Sequence, residues 1–202
     1  GRVAEEERDF EEAKRDYREA LKIYQEFNDR YEQAGTYHQL GYVAQEERDF
    51  PEAKRDYREA LKIFQEFNDR YTQASTYHQL GMVAEEERDF EEAKRDYREA
   101  LKIYQEFNDR YEQAGTYHQL GYVAQLERDF PASLQYYAIA LPILIQYNDQ
   151  YSAEIVLSNL SKLFQAWSGA AGSETPVIET ISRLECAEEL KELLESVLKG
   201  EG

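Results

Sequence analysis

One forty-residue unit runs through this chain almost unchanged, and no other feature constrains the fold as tightly. Residues 81–120 read GMVAEEERDFEEAKRDYREALKIYQEFNDRYEQAGTYHQL; residues 1–40 differ only in having Arg2 where Met82 stands, and the block from Gly41 differs at six positions. The block from Gly121 keeps the pattern in eroded form. Repetition at this period marks an architecture in which one unit cannot bury its apolar face alone and must stack on its neighbours. Such architectures present long surfaces suited to binding.

The 202 residues carry 24 basic and 42 acidic side chains, a formal charge of −18. A field of that sign repels nucleic-acid phosphates and anionic lipid, so neither a nucleic acid nor a membrane is expected as partner. It either favours a basic partner or serves only to keep a long exposed surface soluble. The 17 tyrosines come from the repetition, not from a special aromatic site. Cys186 stands alone, which excludes an internal disulfide and suits a reducing compartment. No segment reaches membrane-spanning length and no apolar signal opens the chain, so the expected location is cytoplasmic. The first residues fall in the middle of a repeat, without an initiating methionine, the pattern of a piece cut from a longer array.

In the second unit, Phe50, Ala53, Tyr57, Ala60, Leu61, Phe64 and Phe67 recur at three- and four-residue spacing. That is one face of a helix B over 50–67. Asp49 and Glu52 read as a capping box, with Pro51 tolerated in the first turn. A helix A follows Asn68 and Asp69, with Tyr71, Ala74, Tyr77, Leu80, Gly81 and Ala84 as its buried stripe, and ends near Glu86. The short Glu-Arg-Asp connection predicts an antiparallel hairpin. Gly81, Ala84, Ala93 and Ala100 permit close helix approach. Lys54, Arg55, Asp56, Arg58, Glu59 and Lys62 read as a solvated outer face of helix B, with Arg55–Glu59 and Glu91–Arg95 as i,i+4 pairs.

These residues closely resemble the tetratricopeptide repeat family. Tyr37, Leu40 and Gly41 match the family's large–Leu–Gly start, and Ala53, Tyr57 and Ala60 match its Ala–aromatic–Ala pattern on the second helix. The set recurs as Tyr77, Leu80, Gly81, Ala93, Tyr97 and Ala100, and again from Tyr117, Leu120 and Gly121, with Ser133 in place of the first alanine. The unit is longer than the family's common one, Ala44, Ala84 and Ala124 replace an aromatic, and Gln65 stands near the usual proline. The long unit looks like the bacterial form of the family. The resemblance implies an all-α fold, a right-handed α-α superhelix of antiparallel helix pairs, acting as a protein-binding scaffold with a concave face made mainly by A helices.

From Ala132 the charged consensus face gives way to Leu134, Tyr136, Ile139, Leu141, Ile143 and Leu144, which must be covered. The expected organisation is a repeat array over 1–168 (units near 1–40, 41–80, 81–120 and 121–160, with a degenerate last helix to 168), a linker over 169–174, and a cap over 175–202. Thr175 followed by Pro176 is a helix-start signal, and the cap is one kinked helix or two short ones. Trp167, Leu184, Leu190 and Leu194 are expected to anchor it.

If the family geometry holds, the exposed positions of successive A helices are His38, Gln39, Tyr42 and Gln45; then His78, Gln79, Met82 and Glu85; then His118, Gln119, Tyr122 and Gln125. Aromatic or thioether contacts and amide hydrogen bonds there would clamp an extended peptide, with Gly35, Ser75 and Gly115 leaving room and Glu46 and Glu86 favouring basic residues. The competing reading is that these residues merely repeat with the cassette. The histidines come one per unit; helices stack roughly 10 Å apart, whereas zinc needs donors about 2.0–2.3 Å from one centre. No metal, cofactor or catalytic residue is therefore expected; no nucleophile elbow, HExxH or phosphate loop occurs, and Cys186 lacks an evident histidine partner. Two functions remain: a non-catalytic scaffold that binds a partner segment, or a spacer and self-association module for another domain, with association through the repeat ends.

Overall fold

The computed structural model describes the backbone of residues 2–184 and 188–199, and side chains at 9–184, 188 and 190–199; Cys186 and Ala187 lie outside the described residues. The described chain is all α-helix: α1 Arg2–Glu26, α2 Arg30–Glu46, α3 Phe50–Glu66, α4 Arg70–Glu86, α5 Phe90–Glu106, α6 Arg110–Leu126, α7 Phe130–Gln146, α8 Gln150–Ala171, α9 Thr175–Arg183 and α10 Glu188–Lys199. It divides into two compact units, Gly1–Ile103 and Tyr104–Gly202. Each is built of helix pairs, and the second ends in a distinct pair, α9 and α10.

The connections are short because one residue closes a helix and opens the next. Arg48 N–H donates to Gln45 O at 2.8 Å and Asp49 N–H to Ala44 O at 2.8 Å. This is the Schellman pattern, and it needs a left-handed residue at Arg48, whose φ is 62°. The Asp49 carboxylate then accepts from Glu52 N–H at 3.1 Å and caps α3. Asn68, at φ 53°, does the same between α3 and α4. The capping box is half formed: the Asp49 N–H is already committed to Ala44, and the Glu52 side chain is drawn elsewhere.

The first copy of the connecting tripeptide, Glu7-Arg8-Asp9, makes no turn: α1 runs unbroken through these residues. The turn at 47–49 rests on a full helix A laid along helix B, and residues 2–9 supply only the last turns of one.

Helix contact within a pair is set by glycine against tyrosine. A Cβ on Gly41 would lie 2.8 Å from the Tyr57 ring, and one on Gly81 2.7 Å from Tyr97. In the second unit, Gly121 meets Tyr137 in the same way, at 2.7 Å. Ala53, Tyr57, Ala60, Ala93, Tyr97 and Ala100 are fully buried.

Lys54 and Asp56 are not on the solvated face. The Lys54 side chain is 13 % exposed, held by Glu87 at the end of α4 and by Glu92 of α5 at 2.6 Å. Lys14 of α1 repeats this with Glu47 and with Glu52 at 2.8 Å. Burial would lower both ammonium pKa values, but hydrogen bonds and charge from the paired carboxylates raise them. Lys14, helped by Arg55 and Arg18, pulls Glu52 down to about 2 against its desolvation. Glu92 is also held at about 2: its desolvation is outweighed by Lys54 and Arg95. These carboxylates contribute stability that is full above their ordinary range and is lost as pH falls through about 2. The expected i,i+4 pairs give way to partners three and one residues away: Arg55 bonds Glu52 and Asp56, while Arg95 bonds Glu92 and Asp96.

In the second unit Leu134 takes the lysine position and is fully buried with Tyr137, Leu141 and Leu144. Ser133 keeps its hydroxyl satisfied on Gly121 O at 2.8 Å. Trp167 stacks on Phe130 at 5.9 Å. Val177, Ile181, Leu190 and Leu194 are buried in the same cluster, and Leu184 packs against it half-buried. Ile139 and Ile145 remain 40 % and 54 % exposed, so the apolar face of α7 is only partly covered. Residues 169–171, expected in a linker, continue α8; Gly172, at φ 70°, ends it. Good helix formers at Ala170 and Ala171 carry the helix to the first residue that adopts the left-handed region freely. Glu174, not Thr175, holds the N-cap of α9, without a side-chain bond.

Gly81→Ala should lower stability by about 1–3 kcal/mol, because the Tyr97 ring has nowhere to move. An added Cβ at Gly35, inside α2, meets no atom within 4 Å. Gly35→Ala should therefore raise stability by about 0.5–1 kcal/mol. Urea midpoints of the two variants check both signs; an unchanged midpoint for Gly81→Ala would refute the close approach.

Candidate functional site

The solvent-facing stripe of α2 is Glu32, Gly35, Gln39, Tyr42 and Glu46, at alternating three- and four-residue spacing. All but the half-buried Gly35 are exposed. The corresponding stripe of α4 is Thr72, Ser75, Gln79 and Met82, half-buried, and Glu86, exposed. In the second unit α6 presents Glu112, Gly115, Gln119, Tyr122 and Leu126, all half-buried.

The ladder read from sequence thus separates into two sets. Gln39, Tyr42, Gln79, Met82, Gln119 and Tyr122 belong to the outer stripe. The histidines and the residues at positions 45, 85 and 125 turn toward helix B, around the tyrosine seated on glycine. His38 meets the Tyr57 ring edge-on at 5.2 Å, and His78 meets Tyr97 at 5.3 Å. Burial lowers the pKa of His38 and takes His78 to about 4. In the second unit His118 lies 5.8 Å from Tyr137. Its Nε2 is 3.0 Å from Asn159 Nδ2, and because an amide nitrogen only donates, that Nε2 accepts. The histidines therefore serve as neutral packing groups. Among the described residues no three His, Cys, Asp or Glu side chains could hold a metal ion.

Gln45, expected on the surface, is 6 % exposed. Its Oε1 accepts from the Tyr57 hydroxyl at 3.1 Å and its Nε2 donates to Glu86 Oε1 at 3.0 Å, tying α2 to α4. Gln125 accepts from Tyr137 at 3.0 Å. Spacing could not separate these residues from their neighbours, because position 45 lies at the rim of the helix face. The signal was the twelve-residue offset to the tyrosine, repeated in each unit.

Glu85 takes the glutamine position and accepts from the Tyr97 hydroxyl at 2.9 Å. Burial pushes its carboxyl up to about 7; the Tyr97 bond opposes this and the charge of Glu86 adds to it. The raised value means its contribution is fully present below 4.5 and is lost as pH rises through about 7. Glu85→Gln should therefore stabilise the fold near neutral pH by on the order of 1–3 kcal/mol, and flatten the pH dependence between about 5 and 8. Urea midpoints measured across that range check it; parallel curves for the two proteins would refute the assignment.

Among the described residues no helix is long and apolar enough to cross a membrane. The family described as tetratricopeptide repeat matches this sequence at residues 1–66 and 32–106. No curated protein sequence matches it. Among solved structures, the crystal structure of BtubC (BKLC) from P. vanneervenii is similar with a TM-score of 0.74 and 24 % identity, over 97 % of this chain and 77 % of that one. At that identity the likeness is one of fold.

Proposed function

Because this chain belongs to the tetratricopeptide repeat family, we propose that it is a non-catalytic scaffold that holds a protein or peptide segment along the outer stripe of its A helices. The observation that carries this reading is Tyr42. It is a large aromatic, 47 % exposed on the outer stripe of α2, away from the helix's other exposed aromatic, Tyr31, in its first turn. Aromatics of this kind supply contact area at small entropic cost, and flanking amides such as Gln39 can bond a partner's backbone. Exposed Glu46 favours a basic side chain beside Tyr42, whereas Glu86 is partly occupied by Gln45. The glycine at 35, with open space above it, lets a partner's backbone come close.

The test is to purify a partner retained by the immobilised chain and measure its affinity for a Tyr42→Ala, Met82→Ala, Tyr122→Ala variant with unchanged circular dichroism. The expected result is at least about a tenfold loss, the scale of one good anchor. Undiminished affinity would remove the stripe as the main contact.

A second reading, self-association, is favoured by Ile23, which is 49 % exposed on α1 although Ile63 and Ile103, its counterparts, are fully buried. Pairing of α1 between two copies would cover it. Sedimentation velocity should then show concentration-dependent dimer that Ile23→Glu abolishes; a monomer at all concentrations would dismiss it.

A further inference from the structure

The two kinds of connection treat their aromatic residues differently. Where α2 passes into α3, the left-handed residue is Arg48, and its guanidinium lies over the Phe50 ring, 5.8 Å from the centroid. Where a B helix passes into an A helix, the left-handed residue is Asn28 or Asn68, with no charge to offer. The aromatics at these turns are exposed, Phe27 by 79 % and Phe67 by 50 %. Among the described residues no cation is recorded over either ring. Tyr31 links the turns, packing on Phe67 at 5.5 Å and donating its hydroxyl to Asp69 at 2.6 Å. The first unit thus carries exposed aromatics at two successive turns, with Tyr31 against the second. Around these turns anions outnumber cations: Glu26, Asp29, Glu32, Glu66 and Asp69 stand against Arg30 and Arg70. Arg30 is itself spent on both oxygens of Glu66, at 3.0 Å each.

We propose that these two turns, distinct from the A-helix stripe, bind an extended arginine-rich segment of a partner protein. The guanidinium groups cover Phe27 and Phe67 as Arg48 covers Phe50, and the surrounding carboxylates supply the opposite charge. The planar guanidinium suits the ring faces better than an ammonium does, so arginine is selected over lysine.

The experiment uses the whole chain and fluorescein-labelled nona-arginine, nona-lysine and nona-glutamate peptides, followed by anisotropy at about 0.15 M salt, where distant charges are screened. Three proteins are compared: the parent, Phe27→Leu with Phe67→Leu, and Tyr42→Ala with Met82→Ala. Leucine keeps the apolar packing beneath Tyr31 and removes only the aromatic face. The expected result is that nona-arginine binds more tightly than nona-lysine, that nona-glutamate does not bind, and that the leucine variant loses about tenfold in arginine affinity, the scale of two exposed cation–π contacts. The stripe variant retains the parent affinity, which separates these turns from the surface proposed above. Equal binding of arginine and lysine, equal binding by the leucine variant, or no binding at all overturns the proposal.

Discussion

Everything in a repeat is arranged around one tyrosine ring. The face of Tyr57 rests on Gly41, so closely that a single methyl group would not fit. Its edge meets His38, and its hydroxyl ends on Gln45. The histidine, glycine and glutamine sit three and four residues apart on the same helix A, so one side chain from helix B fixes the separation, the rotation and the register of the pair. Tyr97 repeats the arrangement with Gly81, His78 and Glu85. The exchange of glutamine for glutamate leaves the hydroxyl satisfied but places a carboxylate where burial disfavours its charge. The fold tolerates this because the shared hydrogen bond sets the geometry, and either acceptor can receive it.

Contact between successive pairs is made by different means in the two units. In the first, Lys14 and Lys54 lie between carboxylates of the following helices and are nearly closed off from water. A buried ammonium is tolerable only when its charge is met on more than one side, and each lysine has two partners. In the second unit that position is Leu134, inside the apolar cluster that α8, α9 and α10 complete. The change follows the surroundings. The lysine partners lie 33 and 38 residues further on, and from position 134 those places are Trp167 and Gly172, so a lysine there would meet neither carboxylate.

Helix positions, the pairing of A with B and the closing cluster were legible in the sequence, because periodicity, Asp caps and small residues each point to one outcome. Three features were not. The lysine clamp was hidden because Lys54 lies among charged neighbours, and a charged run reads as solvated unless the residues of the next repeat are placed beside it. The burial of Gln45 was hidden because its polarity suggested surface, whereas its role is to receive a buried hydroxyl. The continuity of α1 was hidden because its Glu-Arg-Asp is the same tripeptide that turns in later units, although the turn depends on tertiary packing as much as on the tripeptide. The candidate stripe was half legible: Gln39 and Tyr42 lie outside, and His38 and Gln45 lie within.

The differences between near-identical copies say which residues the fold can release. The blocks beginning at Gly41 and Gly81 differ at Tyr42 and Met82, Gln45 and Glu85, Pro51 and Glu91, Phe64 and Tyr104, Thr72 and Glu112, and Ser75 and Gly115. Half of these positions, 42, 72 and 75, lie on the outer stripe of helix A. Two lie inside and are conservative in shape: glutamine for glutamate, and phenylalanine for tyrosine. The stripe is where the copies change chemical character, from aromatic to thioether and from hydroxyl to carboxylate, without disturbing the tyrosine seat. Residues that pack cannot vary in this way, because the same ring and the same glycine recur in every unit. A surface free of that constraint is one on which each repeat can present a different contact. The A helix therefore has an inner half that repeats because it must pack, and an outer half on which specificity can differ from one repeat to the next.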